Sequence, residues 1–320
     1  MLLNAAFFVL GTVLIILAAN LLVDGAASVA KKLNVPDIVI GLTIVAFGTS
    51  APELTVSVVS SLRGSTDIAL GNVIGSNIAN ILLILGISAV VFPLAIRKNT
   101  QMKEMPFLFF CGALVVLFAN DVITGSGSEN IISRTEGIVF LVFFGVFLRY
   151  TFKISKNHVP DEDDIHAKIM PVYRSVLWIV LGLAGLAGGG KILVDGAVGI
   201  AAAAGVPERI IGVTIVAVGT SLPEMATSVV AAFKKKTDIA VGNIVGSNIF
   251  NVFLILGISV VIRPAPVSNQ SNVDIIVAMA AALILLLSTF TLKRRKIDRA
   301  EGFVFLGLYS AYIAYLVLQL

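Results

Sequence analysis

The 320-residue chain has one cysteine, two histidines and few charges, and each scarcity closes off a class of function. Cys111 stands alone in an apolar run, so there is no partner for an intrachain disulfide and no thiolate cluster for a metal. It reads as a small buried hydrophobe. His158 and His166 lie eight residues apart in a polar stretch without supporting ligands, which argues against a metal site there. Charged residues make up only 13% of the chain, about half the roughly 25% usual in a soluble domain. The net charge of +4 is spread over short links between apolar runs, with no aromatic-studded basic groove, so nucleic acid is not the expected partner. There is no P-loop, aspartyl-phosphate motif or nucleophile–histidine arrangement, hence neither an enzyme nor a bound cofactor is expected.

What remains is hydrocarbon. Apolar residues are 58% of the chain and the mean hydropathy is +1.00. Stretches of about twenty apolar residues recur, long enough to cross a bilayer. They lack the dyad alternation of barrel strands and so predict helices. Ten spans are expected, near 3–23, 38–62, 68–92, 105–123, 134–152, 174–200, 208–232, 239–261, 273–292 and 300–319. The first has a later duplicate and is expected to be retained, not cleaved as a signal peptide. Of the lysines and arginines in alternate links, 18 fall on one side and 4 on the other (Arg63, Arg134, Arg209 and Arg263), with Lys191 inside a span. Basic short loops stay cytoplasmic, so an integral cell-membrane protein with both termini extracytoplasmic is predicted.

The chain also says one unusual thing twice. GLTIVAFGTSAPELTVSV at 41–58 returns as GVTIVAVGTSLPEMATSV at 212–229, and GNVIGSNIANILLILG at 71–86 returns as GNIVGSNIFNVFLILG at 242–257, both at an offset of 171. NLLVDG at 20–25 answers to KILVDG at 191–196, and RTEGIVFL at 134–141 to RAEGFVFL at 299–306, the last at an offset of 165. Five spans per copy place the second copy upside down, which predicts an all-α polytopic protein of two inverted five-helix repeats, 1–152 and 172–320. The polar link 153–171, with DEDD at 161–164, is too short for a folded domain and reads as a solvated cytoplasmic linker. Asp24 and Asp195, near the expected cytoplasmic ends of the first and sixth spans, read as helix-end or interhelical pairing groups.

The repeated segments carry the chemistry. Gly48 and Pro52 loosen and break a helix inside lipid, which is tolerated only where freed backbone groups meet protein, water or an ion. The carbonyls near Ala46 and Phe47, the hydroxyls of Thr49 and Ser50, and the carboxylate of Glu53 then converge, with Ala217, Val218, Thr220, Ser221 and Glu224 as the second set around Gly219 and Pro223. A carboxylate near the midplane is costly and therefore a functional candidate. Asn72, Ser76 and Asn80 share one helical face, as do Asn243, Ser247 and Asn251. Hydroxyls and amides also glue membrane helices together, but here they accompany the glutamates twice. Two ionised carboxylates are cancelled by one Ca²⁺, whose six to eight oxygen ligands this set can supply. Several Na⁺ fit the same ring of oxygens, and exclusive occupancy gives antiport. Na⁺, Ca²⁺ and the lipid bilayer are the expected partners, with no obligate protein partner evident.

GTSAPE at 48–53, GTSLPE at 219–224 and the GNxxGSNIxN segments at 71–80 and 242–251 resemble the two α-repeats of the sodium/calcium exchanger family, within the calcium:cation antiporter superfamily. The resemblance covers essentially the whole chain and is closest to the compact prokaryotic and archaeal members. It implies Na⁺/Ca²⁺ antiport with net charge movement, by alternating access around a core of eight helices, with the first and sixth spans as a sliding pair. The ligands it implies are Ala46, Thr49, Ser50, Glu53, Ser76 and Asn80, then Ala217, Thr220, Ser221, Glu224, Ser247 and Asn251. Some members carry an aspartate at one of the positions of Asn80 and Asn251; the amides here disfavour K⁺ co-transport. Potassium- or proton-coupled exchange, and more distantly a cation channel, stay open as alternatives at this point.

Overall fold

A computed structural model describes residues 2–124, 129–156, 170–204, 219–291 and 295–319. The helices are α1 (Leu2–Lys32), α2 in two arms (Asp37–Thr49 and Ala51–Arg63), α3 (Thr66–Val91), α4 (Thr100–Phe118), α5 (Arg134–Lys156), α6 (Val172–Ala203), α7 (Leu222–Phe233), α8 (Thr237–Ile262), α9 (Asn269–Ser288) and α10 (Arg299–Leu318). Among the described residues, eight of these are long and apolar enough to cross a membrane, and the bent pair forming α2 brings the number to nine. The expected span at 208–232 is described only over α7, because residues 205–218 lie outside the described set. So do His158, His166 and the 161–164 acidic run of the expected linker, whose first residues, to Lys156, continue α5.

Two ends of the bundle are tied by short antiparallel strand pairs. Leu94–Ala95 pairs with Lys296–Ile297 at one end, and Ile131–Ile132 with Ala265–Pro266 at the other. The first end also joins Arg97 to Asp238 (2.5 Å), Lys234 to Asp24 (2.7 Å) and Lys236 to Asp37 (3.9 Å). At the second end the guanidinium of Arg263 lies over Gly64, where φ is +86° and a Cβ would meet Nη1 at 2.5 Å. Arg134 donates to the Ile262 carbonyl there. Both arginines thus serve helix C-termini, whose free carbonyls and negative dipole end favour a cation.

α3 and α8 form the centre: 78% and 83% of their apolar windows are buried by protein, against 17–33% for the other long helices. A helix apolar all round belongs in such a position. Around them the contacts recur in duplicate. Gly86 of α3 abuts Gly302 of α10, and Gly257 of α8 abuts Gly137 of α5. α4 and α9 pair and are clipped at both ends by amides, Gln101 to Thr289 and Asn120 to Asn272.

α1 and α6 exceed the expected 3–23 and 174–200, reaching Lys32 and Ala203. At 1.5 Å per residue they run about 46–48 Å, well beyond a hydrocarbon layer of about 30 Å, so they must tilt or project. They pack antiparallel through glycines: Gly11 against Leu193, Gly182 against Ala18 and Leu22, Gly25 against Ser175 and Ile179, Gly196 against Asn4 to Phe8. This crossing corrects the expectation for Asp195. It sits beside the α1 N-terminus, at the end opposite Asp24, because the two helices run in opposite directions. Asp24 does make the expected interhelical pair, with Lys234.

α5 closes on α4 and α8 through phenylalanines. Phe253 of α8 lies 5.5 Å from Phe107 and 5.6 Å from Phe143, Phe107 stacks on Phe147 at 5.8 Å, and Phe110 meets Phe143 edge-on at 5.2 Å.

Candidate cation site

The two proline-bearing segments break in the same way. Pro52 and Pro223 have no N–H to offer the carbonyls of Gly48 and Gly219, and each sits in the first turn of a new helical arm, where that lack costs nothing. The chain turns at Ser50 (φ −82°, ψ 8°) and at Ser221 (φ −87°, ψ 7°), two residues before each proline. The α2 arms meet at 48°. Gly48 lets α6 pack close: a Cβ there would lie 2.5 Å from a Leu183 methyl, and at Gly219 one would lie 2.7 Å from a Val194 methyl, so either substitution would displace the facing side chain. Glu53 and Glu224 thereby fall in the first turn of their arms, where free N–H groups and the positive dipole end favour a carboxylate. Both are 1% exposed.

Hydrogen bonds cross between the two segments. Ser50 donates to Glu224 Oε1 at 2.9 Å, and Ser221 donates to Glu53 Oε1 at 3.3 Å while lying 3.2 Å from Ser76 Oγ. Ser247 reaches Glu224 Oε1 at 3.5 Å. Thr49 donates to Asn243 Oδ1 at 3.1 Å, with Ala46 O at 3.3 Å as a second acceptor. The Ala46 carbonyl also takes the Ser50 N–H at 3.0 Å, so in this conformation it is already engaged by protein. Ala217 and Val218 lie outside the described residues.

The asparagines divide into two jobs. Asn80 donates to Asn248 Oδ1 (3.4 Å), Asn251 to Asn77 Oδ1 (3.0 Å) and Asn77 to the Asn248 carbonyl (3.4 Å), so the NH₂ groups of Asn80 and Asn251 are committed to the opposite copy. π-helical turns at Ala79–Leu85 and Asn251–Leu256 set these residues off the regular helical register, a distortion frequent at functional sites. Asn72 and Asn243 each clamp a glutamate arm, and the Asn243 oxygen also takes the Thr49 hydroxyl. Asn72 donates to the Glu53 carbonyl (3.2 Å) and Ser57 Oγ (2.9 Å), and Asn243 to the Glu224 carbonyl (3.3 Å) and Ser228 Oγ (2.9 Å). Asn77 and Asn248 escaped the sequence reading, although their place in the duplicated GSN triplet was the available signal. Asn243→Ala would leave a buried carbonyl and hydroxyl without a donor, at about 1–3 kcal/mol. A lowered thermal unfolding midpoint in detergent is expected, with a smaller drop for the less buried Asn72→Ala.

Four acceptors are buried and take no hydrogen bond: Glu53 Oε2, Glu224 Oε2, Asn80 Oδ1 and Asn251 Oδ1. Thr220 Oγ1 is likewise without a partner. Unmet oxygens buried in apolar surroundings cost free energy unless a cation or water meets them. The set is hard-oxygen, with two carboxylates, and among the described residues no cluster of three or more His, Cys, Asp or Glu offers a different kind of metal site.

The chain as a whole resembles known proteins. The family model described as sodium/calcium exchanger protein matches residues 3–153 and 174–318. The chain belongs to the sodium/calcium exchanger family. As a family member it is a secondary antiporter of Na⁺ and Ca²⁺ working by alternating access, and not an enzyme. This exchanger is 40% identical to the putative antiporter CaxA of Alkalimonas amylolytica over 320 residues, 98% of each chain. It is 32% identical to the sodium/calcium exchanger MaX1 of Methanosarcina acetivorans over 347 residues, again 98% of each. The structure of the sodium-calcium exchanger NCX_Mj soaked with 10 mM Na⁺ superposes with a TM-score of 0.84 at 33% identity, covering 98% of both chains.

Proposed function

We propose that this exchanger binds one Ca²⁺, or in its place several Na⁺, among Thr49, Ser50, Glu53, Ser76 and Asn80 and their counterparts Thr220, Ser221, Glu224, Ser247 and Asn251, with the carbonyls of Ala46 and Ala217 recruited as the breaks flex. The observation that carries the reading is the duplicated set of buried oxygens without donors, two from glutamates and two from asparagines. A carboxylate pair of charge −2 is neutralised by one Ca²⁺, and amides at both asparagine positions leave no third acidic ligand to favour K⁺. Calcium uptake into proteoliposomes loaded with Na⁺, K⁺ or choline at one pH tests it. Uptake driven by internal Na⁺ alone is expected; uptake driven equally by K⁺ would overturn the assignment of the coupling ion.

The same reading takes the fold to ten spans in two inverted repeats, 1–152 and 172–320, joined by a linker at 153–171, with α1 and α6 as the pair that slides over the rest. The glycine-lined antiparallel contact of α1 with α6 supports the sliding role. The gap in the family match between 153 and 174 supports the linker. Topology is testable independently. The Arg97, Lys234 and Lys296 loops share one end of the bundle, and that end carries most of the basic residues, so it is assigned to the cytoplasm. A cysteine replacing Lys235 or Lys296 should react with an impermeant thiol reagent only from the cytoplasmic side, and one at residue 2 or 319 only from outside. Outside labelling at 296 in intact cells would reject both the orientation and the span count.

A further inference from the structure

A groove of about 360 Å³ runs between α3, α9 and α10, lined by Leu82, Val277, Ala281, Ile284 and Leu308, with Tyr312 and Tyr315 toward one end. Its significance comes from the internal duplication. At the offset of 171, Leu82 corresponds to Phe253; at 165, Leu308 and Tyr312 correspond to Phe143 and Phe147. On that other side the equivalent space between α8, α4 and α5 is filled by the stacked rings of Phe253, Phe143, Phe147, Phe107 and Phe110. One copy therefore supplies its own filler, while the other has leucines at two of the three ring positions, Leu82 and Leu308, and keeps a ring only at Tyr312. An apolar void forfeits its packing contacts and excludes water, so it is a site for an apolar guest.

The groove's end adds a polar signal. Asp274 is just over one turn into α9, about 8 Å along the axis from its first residue and so near the end of that span. Tyr312 donates to Asp274 Oδ1 at 2.9 Å. Among the described residues no lysine, arginine or histidine pairs with this carboxylate. An ionisable group inside a span without a protein counter-ion is by default a functional one, and tyrosines at such a depth are the usual interface anchors.

We propose that this groove is a binding site for one phospholipid with a primary-amine headgroup: an acyl chain takes the place of the missing phenylalanines, and the ammonium meets Asp274. The bilayer that bathes these faces supplies the ligand. Leu82, at the groove's inner wall, belongs to the π-turn that carries Asn80, so the bound chain braces that turn from behind.

The full-length protein, purified in mild detergent and analysed by native mass spectrometry after adding phosphatidylethanolamine or phosphatidylglycerol, tests the proposal. One phosphatidylethanolamine is expected to persist per chain through washing that strips other lipid. Leu308→Phe restores a ring found on the other side and should abolish that retention, as should Ala281→Phe if Leu308→Phe fails to fold. Asp274→Asn should keep a bound lipid but lose the preference for phosphatidylethanolamine over phosphatidylglycerol. Equal lipid retention in wild type and the folded filling variant would overturn the proposal. So would a dimer that the filling variant dissociates, since the occupant would then be a second copy. Equal retention of both lipids by the wild type would overturn the headgroup assignment.

Discussion

Sodium-driven calcium uptake is expected to fall to background in Glu53→Gln and in Glu224→Gln, while both proteins insert and purify as folded chains. Each carboxylate is 1% exposed, has one oxygen without a hydrogen-bond donor, and contributes half of the charge that one Ca²⁺ cancels. Removing one partner from a buried charge pair costs about 3–5 kcal/mol, roughly two to four powers of ten in affinity at 1.4 kcal/mol per tenfold. The amide keeps the size of the side chain, so packing is preserved. Without its ion a buried carboxylate bears a desolvation cost that glutamine avoids, and apo thermal stability is expected to hold or rise. Uptake in reconstituted vesicles together with a melting curve checks both parts. Wild-type-like calcium uptake by either variant would remove that glutamate from the site.

The second large effect is electrical. With a site charge of −2, one Ca²⁺ or two Na⁺ leaves the loaded carrier neutral. The hydroxyls of Ser76 and Ser247, close to Ser221 and Glu224 respectively, give room for a third Na⁺ and a loaded charge of +1. One net charge per cycle across 100 mV is worth about 2.3 kcal/mol, roughly a fiftyfold bias in the calcium gradient that can be sustained. In vesicles loaded with Na⁺, sodium leaves with the excess positive charge. An inside-positive potential should therefore accelerate calcium entry and raise its plateau, and an inside-negative potential should do the reverse. Valinomycin with graded K⁺ sets the potential, after a control that K⁺ itself is not carried. Uptake indifferent to potential over the whole range would establish electroneutral exchange and remove the third sodium.

The helical membrane fold and the family are legible in the sequence, because duplication turns weak signals into strong ones; the ligand set stays a proposal. A lone Pro52 or a lone Asn80 says little; the recurrence of each at 171, in a chain that also repeats Glu53 as Glu224, makes Thr49, Ser50, Glu53, Ser76 and Asn80 and their counterparts the candidate ligands. Helix ends were less legible. Apolar pattern stops where lipid stops, while α1 and α6 continue to Lys32 and Ala203, with Gly25 and Ser28 of α1 still packed on the start of α6 at Ser175. Asp195 is misplaced if its shared motif with Asp24 is read without direction; the inverted second copy already reverses it, and the antiparallel crossing of α1 and α6 agrees. The division of labour among the asparagines was hidden too. Asn72 and Asn80 lie on one helical face, and it takes the positions of Ser57 and Asn248 on other helices to make one a clamp and the other a candidate ligand.

The exchanged hydroxyls have a further consequence. Ser50 serves Glu224 and Ser221 serves Glu53, so neither half owns a finished pocket. A single half would lose the serine lent by the other, leaving Glu224 only the longer Ser247 contact at 3.5 Å, and a half-molecule would not be a half-strength binder. Change at Ser50 is felt first at Glu224, and tolerance of a lesion in one half is set by what the other half can still lend. The asparagine bonds that cross at Asn80–Asn248 and Asn251–Asn77 extend the same mutual dependence one turn further along α3 and α8.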